Sequence, residues 1–272
     1  MTTGVIAAGG PFPLKVAEAA ARQGGVFVVC LRGFCDPAAY AHLPHMEERP
    51  GAAGAIIDRL RQEGVTRLVL AGQARRPSML SLWPDAWVRR ALARLGPAVL
   101  KGDDAFLRGI VGLLEEEGFA VVSPQSLLED AMAPAGLLAG PEPDEAARAD
   151  IARGVAVLGA LAPQDVGQAV VVQQGLVLGI EAIEGTDALL ARAGTLRREG
   201  PGGVLVKLPK QGQEMRVDAP AIGPRTVENA AAAGLRGIAV AAGGTILAGR
   251  EEAVRAARAA GIFILGLEET PR

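Results

Sequence analysis

The sequence predicts an α/β protein of two α/β domains joined by a linker, the first built on a Rossmann-like parallel sheet. Three observations predict it. Runs rich in Val, Ile and Leu alternate with amphipathic stretches from the start, as strands buried on both faces and connected by helices do. Glycines close many of those runs and mark turns at the ends of elements. The stretch "PAGLLAGPEPDEAARA", residues 134–149, packs three prolines and three acids together and interrupts the alternation. The expected division is therefore an α/β domain at 1–133, a linker or helix lead-in at 134–149, and a second α/β domain at 150–272.

Taken in order, "GVIAAGG" reads as a short buried strand ending in glycines, and "PLKVAEAAARQG" as a helix closed by Gly24. "VFVVCL" is a second strand, "GAAGAIIDRLRQEG" a second helix and "VTRLVLAG" a third strand. "PDAWVRRALARLG" and "DDAFLRGIVGLLEEEG" add helices before the strand "FAVVSP". The second half opens on the helix "DEAARADIARGVAVLGALA" and continues with strands in "QAVVVQQGLVLGIEA", broken by Gly175. A short helix, "GTDALLARAGTLR", precedes the strand "GGVLVKLP". A helix from Thr226, the stretch "GIAVAAGGTILA", the helix "REEAVRAARAAG" and the strand "IFILGL" complete the chain.

Composition narrows the function. At 272 residues the chain can bury a sizeable core. A formal net charge of −2 argues against a general nucleic-acid binder, which needs clustered Lys and Arg. Aromatics at 3% make base-stacking platforms a poor fit. Cys30 and Cys35 offer neither a zinc set nor a disulfide framework and read as two reduced thiols. No basic leader precedes "GVIAAGG", and no apolar run approaches the ~20 residues needed to span a bilayer. A cytoplasmic protein able to touch a membrane surface is expected.

Standard catalytic sets are sparse. His42 and His45 lie in what reads as a polar loop, and neither a Gly-x-Ser-x-Gly elbow nor a Walker motif occurs. "AAGGPFP" sits where the first strand meets a helix, so Gly9 and Gly10 either admit a phosphate or nucleotide or make a plain tight turn. "AGQARRP" places Gln73 and Arg76 at the carboxyl edge of the sheet. In "LKGDDAFLRG", Asp103 and Asp104 suit an N-cap with a dipole-matched acid, and Lys101 suits a phosphate or ribose contact.

"GIEAIEGTDALL" brings Glu181, Glu184, Thr186 and Asp187 together, more polar groups than one cap requires. With Asp218 these acids suit a hard divalent ion such as Mg²⁺. "VKLPKQGQEMRVD" sets Lys207, Lys210, Gln213 and Arg216 just before Asp218. Cations beside an acid suit a phosphate ester, and they equally suit a solvated loop of mixed charge. Asp218 itself reads as either a turn residue or a catalytic acid.

These segments resemble the LpxI family. "GVIAAGGPFPLKVAEAA", "LAGQARRP", "KGDDAFLRGIVGLLEEEGF", "DVGQAVVVQQGLVLGIEAIEGTDALL" and "RVDAPAIGPRTVENAAAAGLRGIAV" follow in the family's order and cover essentially the whole chain. The family hydrolyses UDP-2,3-diacylglucosamine to 2,3-diacylglucosamine 1-phosphate (lipid X) and UMP in Gram-negative lipid A biosynthesis. The resemblance implies Mg²⁺, or another divalent cation such as Mn²⁺, and attack of water on the phosphorus next to the sugar. It also implies a homodimer, with lipid product held between two domains and transient contact with the inner leaflet.

The family's essential aspartate falls on Asp218. Asp218, Asp187 and Glu184 are the expected metal ligands. Expected substrate contacts are Gly9, Gly10, Gln73, Arg76, Lys101, Asp103 and Asp104 in the first half, and Thr186, Lys207, Lys210 and Gln213 in the second. The first loop departs from the family by reading Ala7-Ala8-Gly9-Gly10 where members carry more glycine. A non-catalytic UDP-sugar-lipid carrier is the alternative. A nucleotide-dependent oxidoreductase ranks last, because Cys30 and Arg32 stand where a ribose-binding acid belongs.

Overall fold

The structure is a computed structural model that describes residues 1–72, 83–96, 103–128, 131–210 and 212–268, and of Asp103 the backbone only. Two compact units divide the chain: Met1–Glu129 together with Glu214–Asp218, and Asp130–Gln213 together with Ala219–Arg272.

The first unit is a five-stranded sheet in the order β3-β2-β1-β4-β5. Its strands are β1 (Thr2–Ala7), β2 (Gly25–Leu31), β3 (His45–Glu48), β4 (Val65–Ala71) and β5 (Ala120–Val121). Every pairing is parallel. Helices α1 (Phe12–Gln23), α2 (Ala53–Gln62), α3 (Ala86–Leu95) and α4 (Asp103–Glu116) belong to the same unit. Alternation along β2 shows why both faces are covered. Val26, Val28 and Cys30 pack with Val16, Ala17 and Ala20 of α1. Phe27 and Val29 point the other way, among Ile56, Ile57 and Leu60 of α2 and Val111 and Leu114 of α4. The strand order reverses between β1 and β4, the switch point where open α/β sheets bind ligands beyond their carboxyl ends.

His45 corrects the reading of a polar loop: "HMEE" is an edge strand, its residues in register with Val28 to Leu31. Four residues without an apolar run carry no periodicity to recognise, and backbone pairing alone makes the strand.

The second unit is a six-stranded mixed sheet in the order β6-β13-β11-β9-β7-β8. Its strands are β6 (Gly136–Ala139), β7 (Ala169–Gln173), β8 (Leu176–Ile180), β9 (Val204–Lys207), β11 (Gly237–Ala241) and β13 (Phe263–Leu267). A separate parallel pair joins β10 (Ala221–Ile222) to β12 (Ile246–Leu247). β7 and β8 form an antiparallel hairpin across Gln174 and Gly175, whose φ values of 54° and 76° are the left-handed pair that a two-residue turn needs. Helix α5 (Glu145–Leu161) is capped by Asp144, whose carboxylate accepts from the Ala147 N–H at 2.8 Å. Its Ala147, Ile151 and Leu158 cover one sheet face. Helices α6 (Thr186–Thr195), α7 (Pro224–Ala232) and α8 (Arg250–Ala260) supply Leu189, Leu190, Val227, Ala230, Ala253 and Ala257 to the other.

Candidate functional site

At the switch point of the first unit, the Ala8 N–H donates to the Ala71 carbonyl at 2.9 Å and ties the loop after β1 to the end of β4. Gly72 meets that loop in close contact. Its φ is 97°, and a Cβ there would lie 2.7 Å from the Gly9 carbonyl oxygen and 2.7 Å from Pro13. Gly10 has φ 92° with open space around its Cα, so a ligand can approach its backbone. Helix α1 starts at once behind Pro11 with no side-chain cap, and because Pro13 has no N–H its first turn offers an anion only the N–H groups of Phe12 and Leu14. Gln73, Arg76 and Lys101 lie outside the described residues, as does the Asp103 side chain.

Asp104 is turned toward protein. One carboxylate oxygen accepts from the Glu214 N–H at 2.7 Å, and the other pairs with Arg108. The accepted N–H belongs to the segment that ends on Asp218, and this segment packs within the first unit. Arg216 grips Glu214 through Nε and Nη2, both at 2.8 Å, and reaches Glu115 at 2.6 Å. Those contacts hold the Glu214 carboxyl below the usual range, the Arg216 hydrogen bond being the largest cause, and raise the Arg216 pKa. Val217 packs on the apolar cluster of α2 and α4. The N–H groups of Val217 and Asp218 both donate to the Glu214 carbonyl, at 3.1 and 3.0 Å, in a tight turn. Asp218 is half-buried.

The second unit gathers the remaining expected residues along the loops after β8 and β9. Lys207 ends β9 with its side chain 7% exposed, and Nζ donates to Thr186 Oγ1 at 2.6 Å. The Thr186 hydroxyl donates a hydrogen bond to Glu181 Oε1 at 2.6 Å, and Glu181, 8% exposed, lies 3.9 Å from the Lys207 ammonium. Ammonium, hydroxyl and carboxylate form a buried relay that neutralises itself. Lys210 pairs with Asp165. Gln213 folds back on the same loop, its Oε1 accepting from the Lys210 N–H at 2.9 Å and its Nε2 donating to Gln168 at 3.3 Å.

Glu184 and Asp187 face cations. Glu184 bonds Arg192 at 2.8 Å and sits below the usual carboxylate range through backbone hydrogen bonding first and Arg192 second. Asp187 bonds Arg225 at 2.5 Å and the Asn229 amide at 2.9 Å, so it clamps α6 to α7. Helix α6 begins after Gly185 with no side-chain cap, so the polar surplus of this loop consists of cross-links. Among the described residues no three His, Cys, Asp or Glu side chains group as metal ligands. Glu184 and Asp187, each held by an arginine, do not fit a resident divalent ion as they stand.

Sequence reasoning passed over Asp165, Asn229 and Glu115, which no local motif singles out because their partners lie far along the chain. The polar density of "GIEAIEGTDALL" singled out Glu181, and its pairing with Lys207 emerges only in the fold.

Comparison with known proteins gives a consistent set. Residues 2–131 match the LpxI N-terminal domain and residues 134–265 the LpxI C-terminal domain. The chain is similar to the UDP-2,3-diacylglucosamine pyrophosphatase LpxI of Caulobacter vibrioides, at 39% identity over 99% of this chain and 98% of that protein. Among solved structures, CobK precorrin-6A reductase aligns with 100% of this chain and 90% of that one, at 18% identity and a TM-score of 0.37.

Proposed function

The chain belongs to the LpxI family, and from that premise we propose that it hydrolyses the pyrophosphate bond of UDP-2,3-diacylglucosamine to UMP and 2,3-diacylglucosamine 1-phosphate (lipid X). The observation that carries the proposal is 39% identity to a protein of that name over 99% of the chain.

Water adds to the phosphorus next to the sugar, the bond from that phosphorus to the bridging oxygen breaks, and UMP leaves with the electron pair. Asp218 orients the water and takes its proton, a role open to a half-buried carboxylate on a fixed turn. Lys207 and Lys210 offset the diphosphate charge, each sharing its ammonium between the ligand and a carboxylate it already faces. The Thr186 proton is committed to Glu181, so Thr186 serves to orient Lys207. Gly9 and Gly10 admit a phosphate or nucleotide to the backbone at the switch point.

We infer a need for Mg²⁺, or another divalent cation such as Mn²⁺; Asp218 would help to hold it, and the ion would offset diphosphate charge and activate water. Homodimer formation, a cytoplasmic location and transient contact with an inner-leaflet surface complete the reading. Among the described residues no helix is long and apolar enough to cross a membrane.

The test is UMP release from UDP-2,3-diacylglucosamine by the purified chain. Release supports the proposal. Tight binding without release would make the chain a carrier.

A further inference from the structure

Four side chains of α4, Asp104, Arg108, Val111 and Glu115, recur at intervals of four, three and four residues, which places them on one helical stripe. Segment 214–218 is complementary to that stripe group by group. Its Glu214 N–H meets Asp104 at 2.7 Å, its Arg216 meets Glu115 at 2.6 Å, and its Val217 joins the apolar cluster that contains Val111. Arg108 fixes the Asp104 carboxylate.

We propose that this stripe is the positioning device for Asp218, with Asp104 a positioning residue that does not touch substrate. The proposal rests on the reading of Asp218 as the catalytic acid. Both Asp104 oxygens already have partners within the protein. A carboxylate accepting a backbone N–H makes a short, directional, charge-assisted bond, and here it fixes the residue from which the turn springs. The Glu214 carbonyl then holds the N–H groups of Val217 and Asp218, so few torsions separate the α4 stripe from the Asp218 carboxylate. The bidentate grip of Arg216 on Glu214, extended to Glu115, fixes the same segment at a second point. Helix α4 thus delivers an acid that lies more than a hundred residues further along the chain, as the 110-residue separation between Asp104 and Glu214 shows.

The experiment follows UMP release against substrate concentration for the wild-type chain, Asp104→Ala, Asp104→Asn and Arg216→Ala, with amide hydrogen exchange across residues 214–218. A displaced catalytic group costs kcat, so Asp104→Ala and Arg216→Ala are expected to lose on the order of 10- to 100-fold in kcat with KM held within about twofold. Exchange across 214–218 is expected to rise in both. Asp104→Asn, whose remaining carbonyl oxygen still accepts the Glu214 N–H, is expected to recover most of the kcat. If KM rises in Asp104→Ala while kcat holds, Asp104 contacts substrate and the positioning role is overturned. Unchanged exchange in Asp104→Ala overturns the positioning of segment 214–218 by Asp104 and leaves the activity standing. Absence of UMP release by the wild-type chain overturns the activity and this proposal with it.

Discussion

Asp218 is one of 30 acidic residues, and its neighbours distinguish it. It ends a turn whose first residue, Glu214, is held by Asp104 through the backbone and by Arg216 through the side chain. Asp218→Ala is expected to abolish UMP release while substrate still binds, which product chromatography beside a binding isotherm would check. The Glu214–Arg216 pair adds a pH dependence. The folded-state pKa of Glu214 is lowered, below the ~4.3 of an unperturbed glutamate. Its stabilisation is therefore present above about pH 4.3 and lost as pH falls through the lower folded value. Glu214→Gln should flatten the acid limb of the stability curve, and an unchanged limb would dissociate this pair from acid unfolding. Glu181 belongs to the same scale: removing it takes the buried acceptor from the Thr186 hydroxyl, so Glu181→Ala should cost about 2 kcal/mol in chemical denaturation. At this scale charge pattern left Asp218 open between a turn residue and a catalytic acid, and only the resemblance to the LpxI family singled it out; the same resemblance set Glu184 and Asp187 beside it as expected ion ligands. Their arginine partners, Arg192 and Arg225, lie 8 and 38 residues away, and no local spacing reveals such pairing.

Elements position these residues through a few close approaches. Gly72 is the tightest joint at the switch point, with a left-handed φ and the Gly9 carbonyl against its Cα. Gly72→Ala should both destabilise the first unit, by roughly 1–3 kcal/mol, and displace the Gly9–Gly10 loop. A melt and a ligand titration would check the two effects separately, and wild-type behaviour in both would remove the loop from the site. The apolar strands β1, β2, β4, β7, β9 and β13 were legible in the sequence because buried strands read as runs rich in Val, Ile and Leu. The short ones were not. β3 is four residues with Met46 alone apolar, β10 and β12 are two residues each, and β6 lies within the Pro-rich stretch after Pro134, where antiparallel pairing with β13 makes it a strand. Such elements exist through partners distant in sequence, so local periodicity carries no trace of them.

For the whole molecule, two α/β units were legible from alternation and a proline-rich interruption, and the two sheets bear that architecture out. The insertion of Glu214–Asp218 into the first unit was not legible. A five-residue excursion breaks no hydrophobic period, and its determinants are split between "DDAFLRGIVGLLEEEG" and "QEMRVD". That excursion places Asp218 on the unit that also carries the switch-point glycines. The most direct measurement of the central claim is hydrolysis of UDP-2,3-diacylglucosamine in heavy-oxygen water by the wild-type chain and Asp218→Ala, each with and without chelator. The account predicts UMP release by the wild type alone, lost on chelation, with the heavy oxygen in the phosphate of lipid X. No release by the wild type, or full release by Asp218→Ala, would contradict it.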